Sequence, residues 1–392
     1  MTTLGIFVFI VAILFSIGLH EFGHFITAKK FKIKVEQFFI GFGPRLWSVR
    51  KGETEYGVKA LPIGGYVRIA GMNPFEEIAP EDKDRVFKSK KPWQRAIVLS
   101  AGSFTHFVIG LIIIAAVLAA VGRPTDTPTT TIAGIQPPFD GHPSPAQVAG
   151  LRGGDVLVAV NGHRITKWQE AVDILHAVGP NRVEITVRRK GMLVTTSAVL
   201  ADHNPQSGKK VGFLGIGPTF VVKHYSPQSA IAGAGHDVGA AMLGSLEAIG
   251  HLFQPSTLGR IFSQAAGRQT RSVEDPTTVV GLTSQAGGLL GHGDIGAFFL
   301  LIAYFNIFVG VANLLPLPPL DGGRVAVGLL PDRLAFPLAR FEAKGMLLLI
   351  ALLVLVPMIT QRLGHEVSVF SLVLEQPVDY MIGLILRVTG HA

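Results

Sequence analysis

The feature that most constrains this chain is a set of apolar runs suited to a lipid layer. A helix needs about 20 residues to cross a hydrocarbon core. Four stretches approach or exceed that length: Leu4 to about Ile26, Ala96 to Val121, about Ile295 to Leu317, and Gly345 to about Thr360. Composition points the same way, with 48% hydrophobic residues and 16% charged ones, against roughly a quarter charged in ordinary globular chains. So much apolar surface excludes a disordered chain. The first run does not read as a secretory signal peptide, because it lacks a basic leader and a small-residue cleavage site. The fold class expected is therefore an α-helical membrane protein with about four transmembrane helices.

Charge gives the orientation. The formal net charge is +8. Residues 27–95 hold 15 Lys and Arg against 8 Asp and Glu, whereas residues 123–294 hold 14 against 12. Cationic juxtamembrane loops stay cytoplasmic, while long domains translocate largely regardless of charge. The N-terminus and 123–294 are thus expected outside the cell membrane, and 27–95 inside. Basicity concentrated in one loop is a topology signal, so a nucleic-acid partner is not expected. With no cysteine, disulfides, thiolate zinc ligands and a thiol nucleophile are all excluded.

Between the spans the pattern changes. Pro124–Pro145 is rich in Pro and Thr and reads as linker and loop. Alternating strands at Val156–Val160, Val183–Arg188 and Val194–Val199, with a helix at Trp168–Val178, predict a small α+β domain. The division expected is 1–27 first span, 28–95 cytoplasmic region, 96–122 second span, 123–222 linker and domain, and 223–294 amphipathic linking helices. It continues with 295–330 third span, 343–362 fourth span, and 363–392 C-terminal segment. Within 28–95, the charged loop 76–95 reads as a solvated surface whose basic end meets anionic lipid headgroups.

Chemistry enters with His20-Glu21-Phe22-Gly23-His24 at the end of the first span. Positions i and i+4 share a helix face, so two imidazoles can hold one tetrahedral Zn²⁺. The Glu beside the first His is then placed as general base toward the attacking water. The plain alternative is a set of polar residues snorkelling at a helix end, which favours Lys and Arg and needs no fixed spacing. Zinc wants a third protein ligand, and Asp321 is the candidate. It follows Asn313-Leu-Leu-Pro-Leu-Pro-Pro-Leu, whose prolines forbid a regular helix. Gly322 and Gly323 allow close backbone approach. The alternative for Asp321 is a helix-ending loop at the water interface. Counting crossings puts the His and Asp ends of spans one and three on the same cytoplasmic side, which favours the metal site.

HEFGH together with NLLPLPPLDGG resembles the site-2 protease family, the M50-type intramembrane zinc metalloproteases of bacterial type. Gly41-Phe-Gly-Pro44 and Tyr56 to Tyr66 are similar to that family's membrane-associated β-hairpin, and Ala149-Gly-Leu-Arg-Gly-Gly-Asp155 with Val160-Asn-Gly162 is similar to a PDZ domain. The resemblance implies that His20, His24 and Asp321 ligate Zn²⁺, that Glu21 is catalytic, and that Asn313 binds the substrate. It also implies single-pass transmembrane protein substrates, such as anti-sigma factors or remnant signal peptides, cut within the bilayer in regulated intramembrane proteolysis. Substrate C-terminal tails would meet the extracytoplasmic PDZ domain. One departure stands out. Where members carry Ala-Gly-Pro and then Asn, this chain has Ala101-Gly102-Ser103 and His106. His106 either replaces the amide as a donor or is a buried structural residue, and the second reading is favoured. The competing class is a non-proteolytic membrane adaptor with a structural or vestigial zinc site; it is disfavoured because every catalytic position is filled and a structural site would not need Glu21.

Overall fold

The computed structural model describes residues 2–72, 76–138, 142–205, 208–252, 254, 279–291, 293–317 and 320–329. In chain order the elements are α1 (Thr2–Lys30), β1 (Val35–Lys51), β2 (Thr54–Ile69), α2 (Pro92–Ala120) and β3 (Arg123–Ile135). There follow α3 (Pro145–Val148), β4 (Val156–Val160), β5 (His163–Arg164), α4 (Trp168–Val178), β6 (Arg182–Arg189), β7 (Met192–Val199) and β8 (Ile216–Lys223). Last come α5 (Pro227–Leu252), then α6 (Val279–Gly291), α7 (Ile295–Asn313) and α8 (Asp321–Leu329). Among the described residues two compact units separate, one from 2–121 and 225–329, the other from 122–224.

The first unit is a helical bundle. Three of its helices are long and apolar enough to cross a membrane: Thr3–Lys30, Pro92–Ala120 and Ile295–Asn313. Each has a legible end. Lys29 and Lys30 close α1 where cations suit the helix dipole. Pro92 opens α2, at the one turn that tolerates a missing N–H. Asp294 caps α7 by accepting from the Ala297 amide at 3.0 Å. Helix α2 thus begins four residues before the expected Ala96, because Pro92 starts helices rather than stopping them. Helix α7 is the central one, with 72% of its apolar window buried against 22% for α1 and 33% for α2.

Small residues set how closely these helices meet. A Cβ on Gly23 would lie 2.7 Å from the Ala101 carbonyl oxygen, and one on Gly110 would lie 2.7 Å from Ile307 Cγ1. Lipid offers no hydrophobic drive for helices to associate, so such backbone contact supplies the packing. Helix α5 was expected to be a linking or interfacial segment around Ala240–Phe253. It is longer, and it packs against α2 and α7 through buried Ala230, Ala234, Ala241, Ala248 and Ile249. The fourth span, Gly345–Thr360, and the segment 363–392 lie outside the described residues.

Strands β1 and β2 form an antiparallel hairpin. Ile40, Phe42, Leu46, Trp47 and Leu61 on it are exposed, an apolar surface of the kind a lipid interface covers. The loop that follows is pinned rather than merely solvated. Lys34 N–H donates to the Arg85 carbonyl at 2.8 Å, and Phe87 N–H donates to the Ala70 carbonyl at 2.8 Å. Phe87 then enters a cluster with Ala28, Ile33, Val35, Ile69, Val98 and Leu99. Around it, Glu53 pairs with Lys29 at 2.8 Å and Arg85 at 2.5 Å, and Lys34 pairs with Asp82 at 2.5 Å. The charge pattern concealed the two apolar residues, Val86 and Phe87, that fasten the loop.

The second unit is a six-stranded sheet in the order β7-β6-β4-β3-β8, with β5 paired to β4. Helix α4 buries Trp168, Ala171 and Leu175 in a core with Ile132, Leu157, Val183, Ile185 and Leu214. The β4–β5 turn is Asn161-Gly162, with φ of 48° and 77°. Two consecutive left-handed residues make the tight hairpin turn whose twist suits the strands. Strand β4 and helix α4 have the expected bounds. The expected linker at Pro124–Pro145 is instead largely strand β3, paired with β8 from Arg123↔Lys223 to Ile135↔Ile216.

Candidate active site

The site sits where α1, α2 and the start of α8 meet β2. On α1, one turn separates His20 from His24, and both are buried, 7% and 4% exposed. Helix α7 ends at Asn313, and the chain resumes as helix only at Asp321. The break falls where the sequence led one to expect no regular helix, because Pro316 has no N–H to donate to a helical ladder. Gly322 lets the new helix turn back onto the old one, since a Cβ there would overlap the Leu314 carbonyl. That turn carries the Asp321 carboxylate to the two imidazoles.

Three atoms converge. His20 Nε2 and His24 Nε2 lie 3.1 and 3.2 Å from Asp321 Oδ2, and 3.1 Å from each other. A tetrahedral ion with bonds of about 2.0–2.1 Å has ligand atoms about 3.3 Å apart. The triangle is therefore close to that of a zinc site. Its tautomers fit as well. His24 Nδ1 donates to the Val98 carbonyl at 2.7 Å, which leaves Nε2 as a lone pair aimed inward. Asp321 Oδ2 is buried with no hydrogen-bond partner among the described residues, as expected of an atom reserved for a cation. His20, His24 and Asp321 are the group among the described residues that could hold a metal.

Glu21 is half-buried beside this triangle, and its Oε2 accepts the Val67 N–H at 3.1 Å. Strand β2 thus runs alongside the carboxylate, and Gly65 is the close point, where a Cβ would sit 3.5 Å from Glu21 Cγ. Asn313 is half-buried at the last position of α7. His106 is 3% exposed, stands outside the metal-capable group, and bonds through Nδ1 to Asn306 Oδ1 at 2.8 Å.

Some contributors had no role in the sequence reading. A Cβ on Gly102 would lie 2.5 Å from His20 Cε1 and 2.5 Å from His24 Nε2. The backbone of α2 therefore rests directly on both imidazoles, and any larger residue would displace them. The Val98 carbonyl, the Val67 amide and Asn306 also escaped notice. A backbone group carries no signature in sequence, and Asn306 lies 200 residues from its partner.

Residues 8–356 match Peptidase family M50. The chain is 35% identical over 348 residues to zinc metalloprotease Rip1 of Mycobacterium tuberculosis, covering 82% of this chain and 84% of that one. It is 35% identical over 352 residues to zinc metalloprotease Rip1 of Mycolicibacterium smegmatis, covering 83% and 85%. Among solved structures, a PDZ domain of the SdrC-like protein from Listeria monocytogenes is similar at 17% identity, over 24% of this chain and 93% of that one. Its TM-score is 0.19, which assigns no fold to the segment. A match that starts within the first span and passes beyond Asp321 leaves no part of the triangle outside it: this chain belongs to Peptidase family M50.

Proposed function

We propose that this membrane zinc metalloprotease cleaves single-pass transmembrane proteins within the bilayer, with His20, His24 and Asp321 as metal ligands and Glu21 as general base. The observation that carries the reading is the His20–His24–Asp321 triangle, at 3.1–3.2 Å, at the end of an apolar helix. Zinc held there supplies Lewis-acid polarisation of the scissile carbonyl and a more acidic water. Glu21 takes the proton from the attacking water and delivers it to the departing amine nitrogen. Asn313 donates to the backbone of the bound substrate or to the oxyanion as it develops. The bundle restricts water around the reaction.

A peptide bond in an intact helix has its carbonyl occupied, so the substrate must unwind first. Strand β2, adjacent to Glu21, suits an extended segment added by strand pairing. The motif Ala149–Asp155 supports reading the second unit as a PDZ-type domain outside the membrane. There it would engage the tails of substrates already trimmed by another protease. The excess of Lys and Arg in 27–95 supports a cytoplasmic hairpin, with the active site near that side. Anti-sigma factors and remnant signal peptides are the substrate classes that family membership favours. The division of the chain into spans, linker and domain given by the sequence belongs to the same proposal.

The test is Glu21→Gln in the full chain, assayed on a helical membrane reporter. Zinc content should be retained while cleavage falls by about 100-fold or more. Cleavage at the wild-type rate would remove Glu21 from the mechanism.

A further inference from the structure

The two imidazole ligands are held by different means. His24 is fixed by a hydrogen bond from Nδ1 to the Val98 carbonyl. His20 Nδ1 is buried and has no hydrogen-bond partner among the described residues. Its ring must be oriented by what it packs against. One neighbour is the backbone of Gly102, so close that a Cβ there would reach His20 Cε1 at 2.5 Å. The other is the ring of His106, centred 5.1 Å away and tilted by 44°. Gly102 and His106 are one turn apart on α2, so they share a face.

His106 is itself anchored. Asn306 Nδ2 donates to the Ile302 carbonyl at 2.8 Å. That bond fixes which end of the amide is which, so Oδ1 accepts, and His106 Nδ1 must carry the hydrogen it donates. His106 and Asn306 are 3% and 1% exposed, and polar groups in such a bundle are costly unless paired. The pair links α2 to the central helix α7. The bond between His106 and Asn306 thus crosses the interface of the two helices.

We propose that His106, clamped by Asn306, is a positioning residue that fixes the ring of His20 for metal binding. It does so by packing, as the counterpart of the carbonyl that holds His24. This rests on the zinc reading above and adds residues on α2 and α7 to it.

The experiment measures zinc affinity of the purified full chain in detergent by competition with a chromophoric chelator, so activity is not the readout. His106→Leu should weaken zinc binding by about 10- to 100-fold, the usual effect of removing a group that orients a ligand. Asn306→Leu should weaken it in the same direction by a smaller factor. His106→Phe with Asn306→Leu keeps a ring against His20 and removes the amide that would be orphaned, so it should bind zinc almost as wild type does. The visible spectrum of Co²⁺-loaded protein should follow the same order, with His106→Leu distorted and the double variant restored. Wild-type affinity in His106→Leu would overturn the proposal, as would a double variant as weak as His106→Leu. Where His106→Leu does not fold, Asn306→Leu decides, and unchanged affinity there would overturn it equally. If wild type itself takes up no zinc, the reading of the triangle fails, and that outcome is distinct from the others.

Discussion

The amide of Val67 donates to the carboxylate of Glu21 at 3.1 Å, joining strand β2 to the residue beside the His20 imidazole. Val67 is paired with Phe38 across the hairpin. The position of Glu21, the proposed base, is thereby tied to the register of the two strands. Movement of β2 is movement of Glu21's hydrogen bond.

Gly65→Val tests that tie. A Cβ at Gly65 would meet the Phe39 carbonyl oxygen at 2.9 Å and Glu21 Cγ at 3.5 Å, so the branched side chain must push strand or base aside. A displacement near 1 Å at a reacting group costs on the order of 100-fold in rate. The expected outcome is a drop of that order in kcat with zinc content unchanged, read by reporter cleavage and elemental analysis. Loss of zinc together with activity would show that β2 supports the whole site.

Gly102→Ala should have the opposite signature. Its Cβ has no room beside His20 and His24, both at 2.5 Å, so either α2 retreats or the imidazoles turn. Overpacking of this kind costs about 1–3 kcal/mol, and here the strain falls on His20 and His24, the proposed metal ligands. Zinc stoichiometry of the purified variant should drop well below that of wild type.

Phe87→Ala should loosen the loop behind the hairpin. Phe87 is 6% exposed and packs with Ile33, Val35, Ile69 and Leu99, and truncating a buried Phe costs about 3–5 kcal/mol. Thermal unfolding in detergent should move down accordingly. Protease cutting between residues 76 and 91 should appear before cutting elsewhere.

Asp155 carries a pH dependence of the second unit. Arg189 holds its carboxylate through two hydrogen bonds at 2.7 and 2.6 Å, and the Arg152 amide adds a third at 2.9 Å. The bonds from Arg189 and then Arg152 hold its pKa below the ordinary carboxylate value. The stabilisation is therefore complete above the unfolded pKa of about 3.9, and is lost as pH falls through the lower folded value. Proteolysis of residues 142–205 in the full chain should rise on acidification below that point. In Asp155→Asn it should already be elevated at neutral pH and change less with acid.

Much of this was legible because its chemistry is written in spacing. HEFGH places two imidazoles one turn apart, and the prolines before Asp321 announce a broken helix. Strand β3 was not legible, because Pro124, Pro128 and a run of Thr look like a linker. Among the described residues it pairs with β4 at Thr131↔Val156, so the stretch bearing the prolines is paired with β8 alone, the kind of edge position that tolerates proline. Phe87 was hidden for a similar reason, as charged neighbours on both sides masked a buried anchor. Gly102, Val67 and Asn306 matter only through what tertiary packing brings to them, and no local pattern marks such residues.

The close seat of α2 on the two imidazoles has a consequence for inhibition. Gly102 backs His20 and His24, and His106 packs on the ring of His20, so among the described residues α2 occupies the side a chelating warhead would otherwise use. Strand β2 borders the site through the Val67–Glu21 hydrogen bond, and in the proposal above it is where the substrate lies extended. A selective inhibitor of this enzyme would accordingly be an extended peptide mimic with its zinc-binding group at one end. Its discrimination among related proteases would come from side-chain contacts with the hairpin rather than from the metal, which every such enzyme would share.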